Sequence, residues 1–131
     1  MLFQSERPAW ITGLTHAIDP MHLGTRDLTR SASTAAAARG VDLSGLDLAE
    51  LHAPFSHQEL ILRNELGLAD DVRINPSGGA LTGNPMFSGG GIRVGEAAQR
   101  VWAGDSDKAL AHATSGPALQ QNLLCTLEGS N

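Results

Sequence analysis

The run Asn75-Pro76-Ser77-Gly78-Gly79-Ala80-Leu81-Thr82-Gly83-Asn84-Pro85 decides how the rest of the chain is read. Its glycines and prolines are too dense for the interior of a helix or a strand. Paired glycines let the backbone approach a ligand closely and turn amide N–H groups toward negative charge as it develops. Taken alone, the run reads equally well as an ordinary surface loop. The segments on either side separate the two readings.

Upstream, residues 55–66 carry Leu60, Ile61, Leu62 and Leu66. Ser56 and Glu59 stand at capping-box spacing and Gly67 closes the segment, so a helix is expected. Before it, Leu46-Asp47-Leu48-Ala49-Glu50-Leu51 alternates as a short strand. Residues 28–38 are Ala-rich and free of Gly and Pro, which predicts a helix with Gly40 at its C-cap and a turn over 42–45. Residues 9–17 read as a first strand ended by Asp19-Pro20. Downstream, residues 92–103 predict a helix whose apolar face is Ile92, Val94, Ala97, Ala98, Val101 and Trp102. Two closing strands, 108–114 and 122–128, flank a turn at Ser115-Gly116-Pro117. The order β, α, β, α, glycine loop, α, β, β describes one α/β domain over 1–131, a mixed sheet with helices packed on it.

Composition narrows the classes. At 131 residues, 41% hydrophobic and 18% charged, the chain has the balance of one globular domain. Its net charge of −5 and the lack of a basic stripe argue against nucleic acid as a partner. The lone Cys125 rules out an internal disulfide and suits a reducing compartment. No apolar run has the length of a membrane span and no signal peptide stands at the start, so a cytoplasmic location is expected. No Cys/His/Asp spacing makes a zinc site, so no metal is expected. With no tyrosine and few other rings, helix–sheet packing falls to Leu, Ile, Val and Ala.

Three motifs in order resemble the thiolase superfamily. The run 75–85 resembles the thiolase pattern Asn-x-x-Gly-Gly followed by Gly-His-Pro and a glycine-led helix. Glu50-Leu51-His52-Ala53-Pro54-Phe55 is similar to Asn-Glu-Ala-Phe, or to His-Asp-x-Phe of the sterol-carrier-protein thiolase branch. Leu110-Ala111-His112-Ala113-Thr114-Ser115-Gly116 stands where the family carries its C-terminal Cys-x-Gly. The resemblance runs from about residue 10 to residue 128. It implies a thiolase-like C-terminal domain of the lipid-transfer type, with a mixed sheet of about five strands. It also implies that residues 3–10 lie where the second half of such a protein begins. The N-terminal half, with the nucleophilic cysteine and the coenzyme A pocket, is then missing.

The same resemblance nominates site residues. The histidine of Gly-His-Pro is Asn84 here, which donates a hydrogen bond but cannot act as a base near pH 7. The family's second cysteine falls at Thr114, or at Ser115 if the register slips, and a hydroxyl is a poor substitute for that thiol. Gly116 matches a backbone oxyanion donor, a role that needs no side chain. His52 matches the histidine near the thioester oxygen, with Ala53 where the branch has Asp. Ser77, Gly78 and Gly79 would meet the ligand along the glycine loop. Cys125 does not match the nucleophile. His57, Arg93 and Arg100 read as surface, His112 as a strand residue without an evident partner, and His16 and His22 as part of the first segment.

The function implied is that of one half of an acyl-CoA enzyme. Coenzyme A thioester is the substrate, no cofactor is permanently bound, and a carbon–carbon bond beside the carbonyl is made or broken in lipid or steroid side-chain metabolism. Ser115-Gly116-Pro117-Ala118-Leu119-Gln120 is similar to lipid-transfer-type thiolases, some of which carry out retro-aldol cleavage; His52 would then be the base and Asn84 the donor. The partner is an N-terminal thiolase-like half or a second copy in a homo-oligomer, meeting an apolar face left exposed. The alternative is a non-catalytic subunit that binds acyl-CoA or organises an assembly.

Overall fold

The computed structural model describes residues 7–19, 24, 26–85 and 87–130; Phe3, Pro20 and His22 lie outside them. The chain forms β1 (Ala9–Ile18), α1 (Ala32–Ala38), β2 (Leu48–Leu51), α2 (Ser56–Leu66) and β3 (Arg73–Ile74). There follow α3 (Gly79–Thr82), α4 (Gly89–Trp102), β4 (Lys108–Ser115) and β5 (Gln121–Gly129). One five-stranded sheet has the order β1-β5-β4-β2-β3. The hairpin joins β4 and β5 antiparallel and β1 adds antiparallel to β5, while β2 lies parallel to both β4 and β3. The sheet is thus mixed and the class α/β, as the resemblance implies.

Strand alternation sorts side chains onto two covered faces. On one face Ala49, Leu51, Leu110 and Leu124 pack with Ala37 of α1 and Leu62 and Leu66 of α2. On the other, Leu48, Ala109, Ala111, Cys125 and Leu127 pack with Ala97 and Val101 of α4. Strand β2 is buried along its whole length, as expected of a parallel strand covered on both sides.

Several local expectations change on folding. Helix α1 begins at Ala32, where the Ser31 hydroxyl caps Thr34 N–H, and its C-cap is Arg39 in ordinary right-handed geometry, not Gly40. Gly40 is needed for a different reason: a Cβ there would lie 2.6 Å from Thr15 Oγ1, where α1 crosses β1. The capping box at Ser56 does not form. The Glu59 carboxylate instead accepts from Asn75 Nδ2 at 2.8 Å. Gly67 does close α2, with φ 60°. The two-residue β3 and one-turn α3 are additions to the expected order, and α4 starts at Gly89 rather than at Ile92.

One part of the α4 face stays open. Leu14, His16 and Ile18 of β1 stand opposite Cys125, Leu123 and Gln121, hence on the α4 side of the sheet. Leu14 is 65% and Ile18 55% exposed, and Trp102 at the end of α4 is exposed as well. Among the described residues no helix is long and apolar enough to cross a membrane.

Candidate functional site

The site begins with a half-buried latch. Asn75 follows β3 with φ 48°. Its Oδ1 accepts from Leu51 N–H at 2.6 Å while its Nδ2 reaches Glu59 of α2, so one carboxamide ties β2, α2 and the glycine loop together. Gly78 and Gly79 both have positive φ, and a Cβ on Gly79 would lie 2.9 Å from the Asn75 side chain. Gly79 is therefore required by its approach to Asn75, and Gly78 by its own positive φ and its approach to Thr82.

Ser77, Gly78 and Gly79 were expected to meet a ligand, and the structure gives their polar groups other partners. Ser77 N–H and hydroxyl both donate to the Glu50 carboxylate, at 3.0 and 2.6 Å. Gly78 N–H donates to Asn75 C=O, and Gly79 N–H to Ser77 Oγ. Arg93 Nη1 completes the cluster, 3.0 Å from Glu50 Oε2 and 3.0 Å from Ser77 Oγ. Glu50 is fully buried and Arg93 nearly so, which corrects the reading of Arg93 as solvated surface. A desolvated carboxylate needs a cation and several donors, and Arg93 and Ser77 supply both. Arg100 is half-buried, bonded to Asp105 and to Pro76 C=O.

That anchor brings α4 up to the end of β2, where His52 and Asn84 meet. His52 Nε2 lies 2.7 Å from Asn84 Oδ1, and Thr114 N–H donates to His52 Nδ1 at 3.3 Å. A nitrogen that accepts from a backbone N–H holds no proton of its own, so the neutral ring carries its proton on Nε2 and gives it to Asn84. In this resting arrangement His52 is the donor and Asn84 the acceptor, the reverse of the roles expected from the sequence. Gly89, the first residue of α4, seats against the pair: a Cβ there would lie 2.7 Å from His52 Nε2 and 2.8 Å from Asn84 Oδ1. Gly90 likewise rests on Ala113. The positive end of a 14-residue helix therefore abuts the imidazole, where it favours negative charge.

The end of β4 supplies the rest. The Thr114 hydroxyl is turned away from His52 and bonds Leu119 and Gln121 C=O, at 3.3 and 3.2 Å. Only the Thr114 N–H serves the site. By alternation Ser115 shares the side of Ala113, toward the start of α4, and is exposed. The register thus puts Ser115, not Thr114, on the side of His52. Gly116 has φ 88°, and a Cβ there would lie 2.5 Å from Gln120 Oε1.

A second polar chain holds the Gly116 loop from behind. His112, on β4, is fully buried, and its Nε2 lies 2.8 Å from Asn122 Oδ1. Asn122 Nδ2 donates to Ser33 Oγ at 2.6 Å and to Leu119 C=O at 3.1 Å. Ser33 donates on to Asp19, which pairs with Arg26 at 3.0 Å, and Arg26 bonds Ala118 C=O at 2.7 Å. Burial pushes the His112 pKa down to about 4, against a smaller opposing effect of the Asn122 hydrogen bond. The ring stays neutral, its Nδ1 buried without a partner among the described residues. His112 thus does have a partner and acts as structure. Cys125 is buried with its thiol pKa raised by burial, so it offers no nucleophile.

Of the residues the sequence nominated, the structure brings His52, Asn84 and the Thr114 N–H together, while Gly116 is packed against Gln120; Asn75, Glu50, Arg93, Gly89 and Gly90 were not nominated. The glycine triplet at 89–91 was the visible signal, since three glycines opening a helix are costly unless something lies against them.

No model of a known protein family matches the chain. Over 74 residues, 55% of the chain, it is 38% identical to a beta-ketoadipyl-CoA thiolase of Pseudomonas putida, of which it spans 18%. The crystal structure of a monomeric SCP2-thiolase-like protein type 1 from Mycobacterium smegmatis superposes on 92% of the chain with a TM-score of 0.74 and 19% identity; the chain spans 29% of that protein. By its five-stranded mixed sheet and this superposition, the chain has a thiolase-like fold.

Proposed function

We propose that this domain forms the C-terminal side of an active site for acyl-CoA thioesters, making or breaking a carbon–carbon bond beside the thioester carbonyl in lipid or steroid side-chain metabolism. The observation that carries the proposal is the contact between His52 and Asn84 at the start of α4, beside the end of β4. A thioester oxygen that displaces Asn84 Oδ1 receives the His52 Nε2 proton in a hydrogen bond. Gly116 N–H is the second donor, and the α4 N-terminus adds its field as the oxygen gains enolate character. Coenzyme A thioester is substrate here, with no resident cofactor.

Among the described residues the site holds no accessible thiol and no carboxylate to serve as base. Asn84 is not basic, the Thr114 hydroxyl is bonded into the hairpin, and Cys125 is buried. The nucleophile then comes from an N-terminal thiolase-like half, seated on the apolar surface of Leu14, Ile18 and Trp102, in the reducing cytoplasm; a second copy of the chain is the other candidate for that surface. Reconstitution with such a half is expected to give acyl-CoA turnover that His52→Ala lowers by about 10² or more, the scale for an oxyanion donor. Unchanged turnover in His52→Ala removes the assignment.

The same Asn84 and Thr114 observations favour a second reading, a subunit that binds acyl-CoA or organises an assembly without turning substrate over. Acyl-CoA binding by the reconstituted complex, with no turnover at any pH, selects it.

A further inference from the structure

A cavity of about 350 Å³ lies on the face of the sheet opposite α4, at the same end as His52. Its walls, among the described residues, are largely apolar: Leu28, Phe55, Ile61 and Leu62 from one side, Pro117 and Leu119 of the Gly116 loop from the other. The volume falls within the range of small-molecule sites. None of its residues takes part in the His52–Asn84 contact.

Two cations border the cavity, and neither is unclaimed. Arg26 is paired with buried Asp19 and bonded to Ala118 C=O. Arg30 grips both carboxylate oxygens of Glu65, at 2.9 and 3.3 Å. An anion would have to compete with those carboxylates. The unclaimed group is Gln58. This lining residue is only 8% exposed, and its carboxamide oxygen is buried with no donor among the described residues. A buried acceptor without a donor is costly, and such groups call for a structural reason. The terminal torsion of a glutamine is soft, so its oxygen can turn to a donor that arrives in the cavity.

We infer that this cavity binds a neutral, apolar small molecule bearing one hydroxyl, which donates to Gln58 Oε1 while the rest of the molecule fills the Leu28–Ile61–Leu119 walls. Because Pro117, Ala118 and Leu119 form one wall, the occupant rests against the loop that presents Gly116.

The test uses this chain and three probes: phenol, toluene and benzoate. Methyl and amide resonances are followed by NMR titration at neutral pH. Phenol and toluene are expected to shift Leu28, Ile61 and Leu119, and benzoate to bind no tighter than phenol. In Gln58→Leu the affinity for phenol relative to toluene should fall about threefold to tenfold, the value of one hydrogen bond. Ile61→Phe, which fills the cavity, should weaken both neutral probes together and serves if Gln58→Leu does not fold. Absence of shifts at the three wall residues overturns the site. An unchanged phenol-to-toluene ratio in Gln58→Leu overturns the hydroxyl recognition, and tighter benzoate binding overturns the neutral class.

Discussion

His52 Nε2 and Asn84 Oδ1 lie 2.7 Å apart, with the proton placed on Nε2 by the Thr114 N–H that occupies Nδ1. The imidazole comes from the end of β2 and the carboxamide from the glycine-rich loop, and folding brings them into contact. Nitrogen NMR of the neutral ring is expected to report the Nε2–H form of His52. A Nδ1–H form would mean that Thr114 does not hold the ring.

Seating Gly89 on that pair makes one helix glycine indispensable and a near neighbour replaceable. Gly89→Ala forces a methyl group against both polar atoms and should cost roughly 1–3 kcal/mol, with the His52 resonances displaced. A Cβ on Gly91 meets nothing within 4 Å. Gly91→Ala should therefore stabilise by up to about 1 kcal/mol through helix propensity. Chemical denaturation of the two variants compares them directly, and equal effects would contradict the close approach.

Glu50 and Arg93 form a buried pair, so removing one partner strands the other. Glu50→Ala is expected to destabilise by about 3–5 kcal/mol, and Arg93→Met by a similar amount. The double change Glu50→Leu with Arg93→Met should be much less harmful than the sum of its parts. Additive losses in urea melts would show that the pair is not coupled.

His112 predicts how stability follows pH. Its folded pKa is depressed to about 4 from an ordinary 6.5, so the unfolded chain binds the extra proton between those values. Stability contributed by the neutral ring is present above pH 6.5, falls as pH drops toward 4, and levels off below. The loss reaches about 3 kcal/mol at most. Depressed carboxylates such as Glu65, held down first by its hydrogen bond to Arg30, lose stability in the same direction as pH falls. The His112 share is therefore read as the difference from His112→Gln, whose slope over pH 4–6.5 should be shallower. Parallel slopes would count against a buried neutral imidazole.

Cys125 sits between the sheet and α4 with its thiol pKa raised by burial. Labelling by a disulfide reagent should track unfolding and be slow in native protein at pH 8. Fast labelling would mean that α4 does not cover that face.

Local patterns reached the elements and their order. Alternation identified β2, alanine content located α1 to within one turn, and Gly67 marked the end of α2. Short elements escaped because they have no pattern of their own. Two-residue β3 exists only because Arg73 and Ile74 lie beside Leu48 and Ala49, and no period can be read from two residues. The capping box failed because Glu59 found a tertiary partner, Asn75, sixteen residues away.

What the sequence determined by itself, then, is the succession of elements, the family likeness of three motifs, and the chemical identities at 52, 84 and 116. Which groups point at each other was decided only by tertiary structure. The side of β4 on which Thr114 and Ser115 fall depends on register. The proton position on His52 depends on a backbone N–H from a strand sixty-two residues on. The burial of Arg93 depends on Glu50 being sealed beneath α4. The physical reason is the same in each case: hydrogen bonding and desolvation act through space over a few ångströms, and sequence spacing carries that distance only within a helix, a strand or a turn.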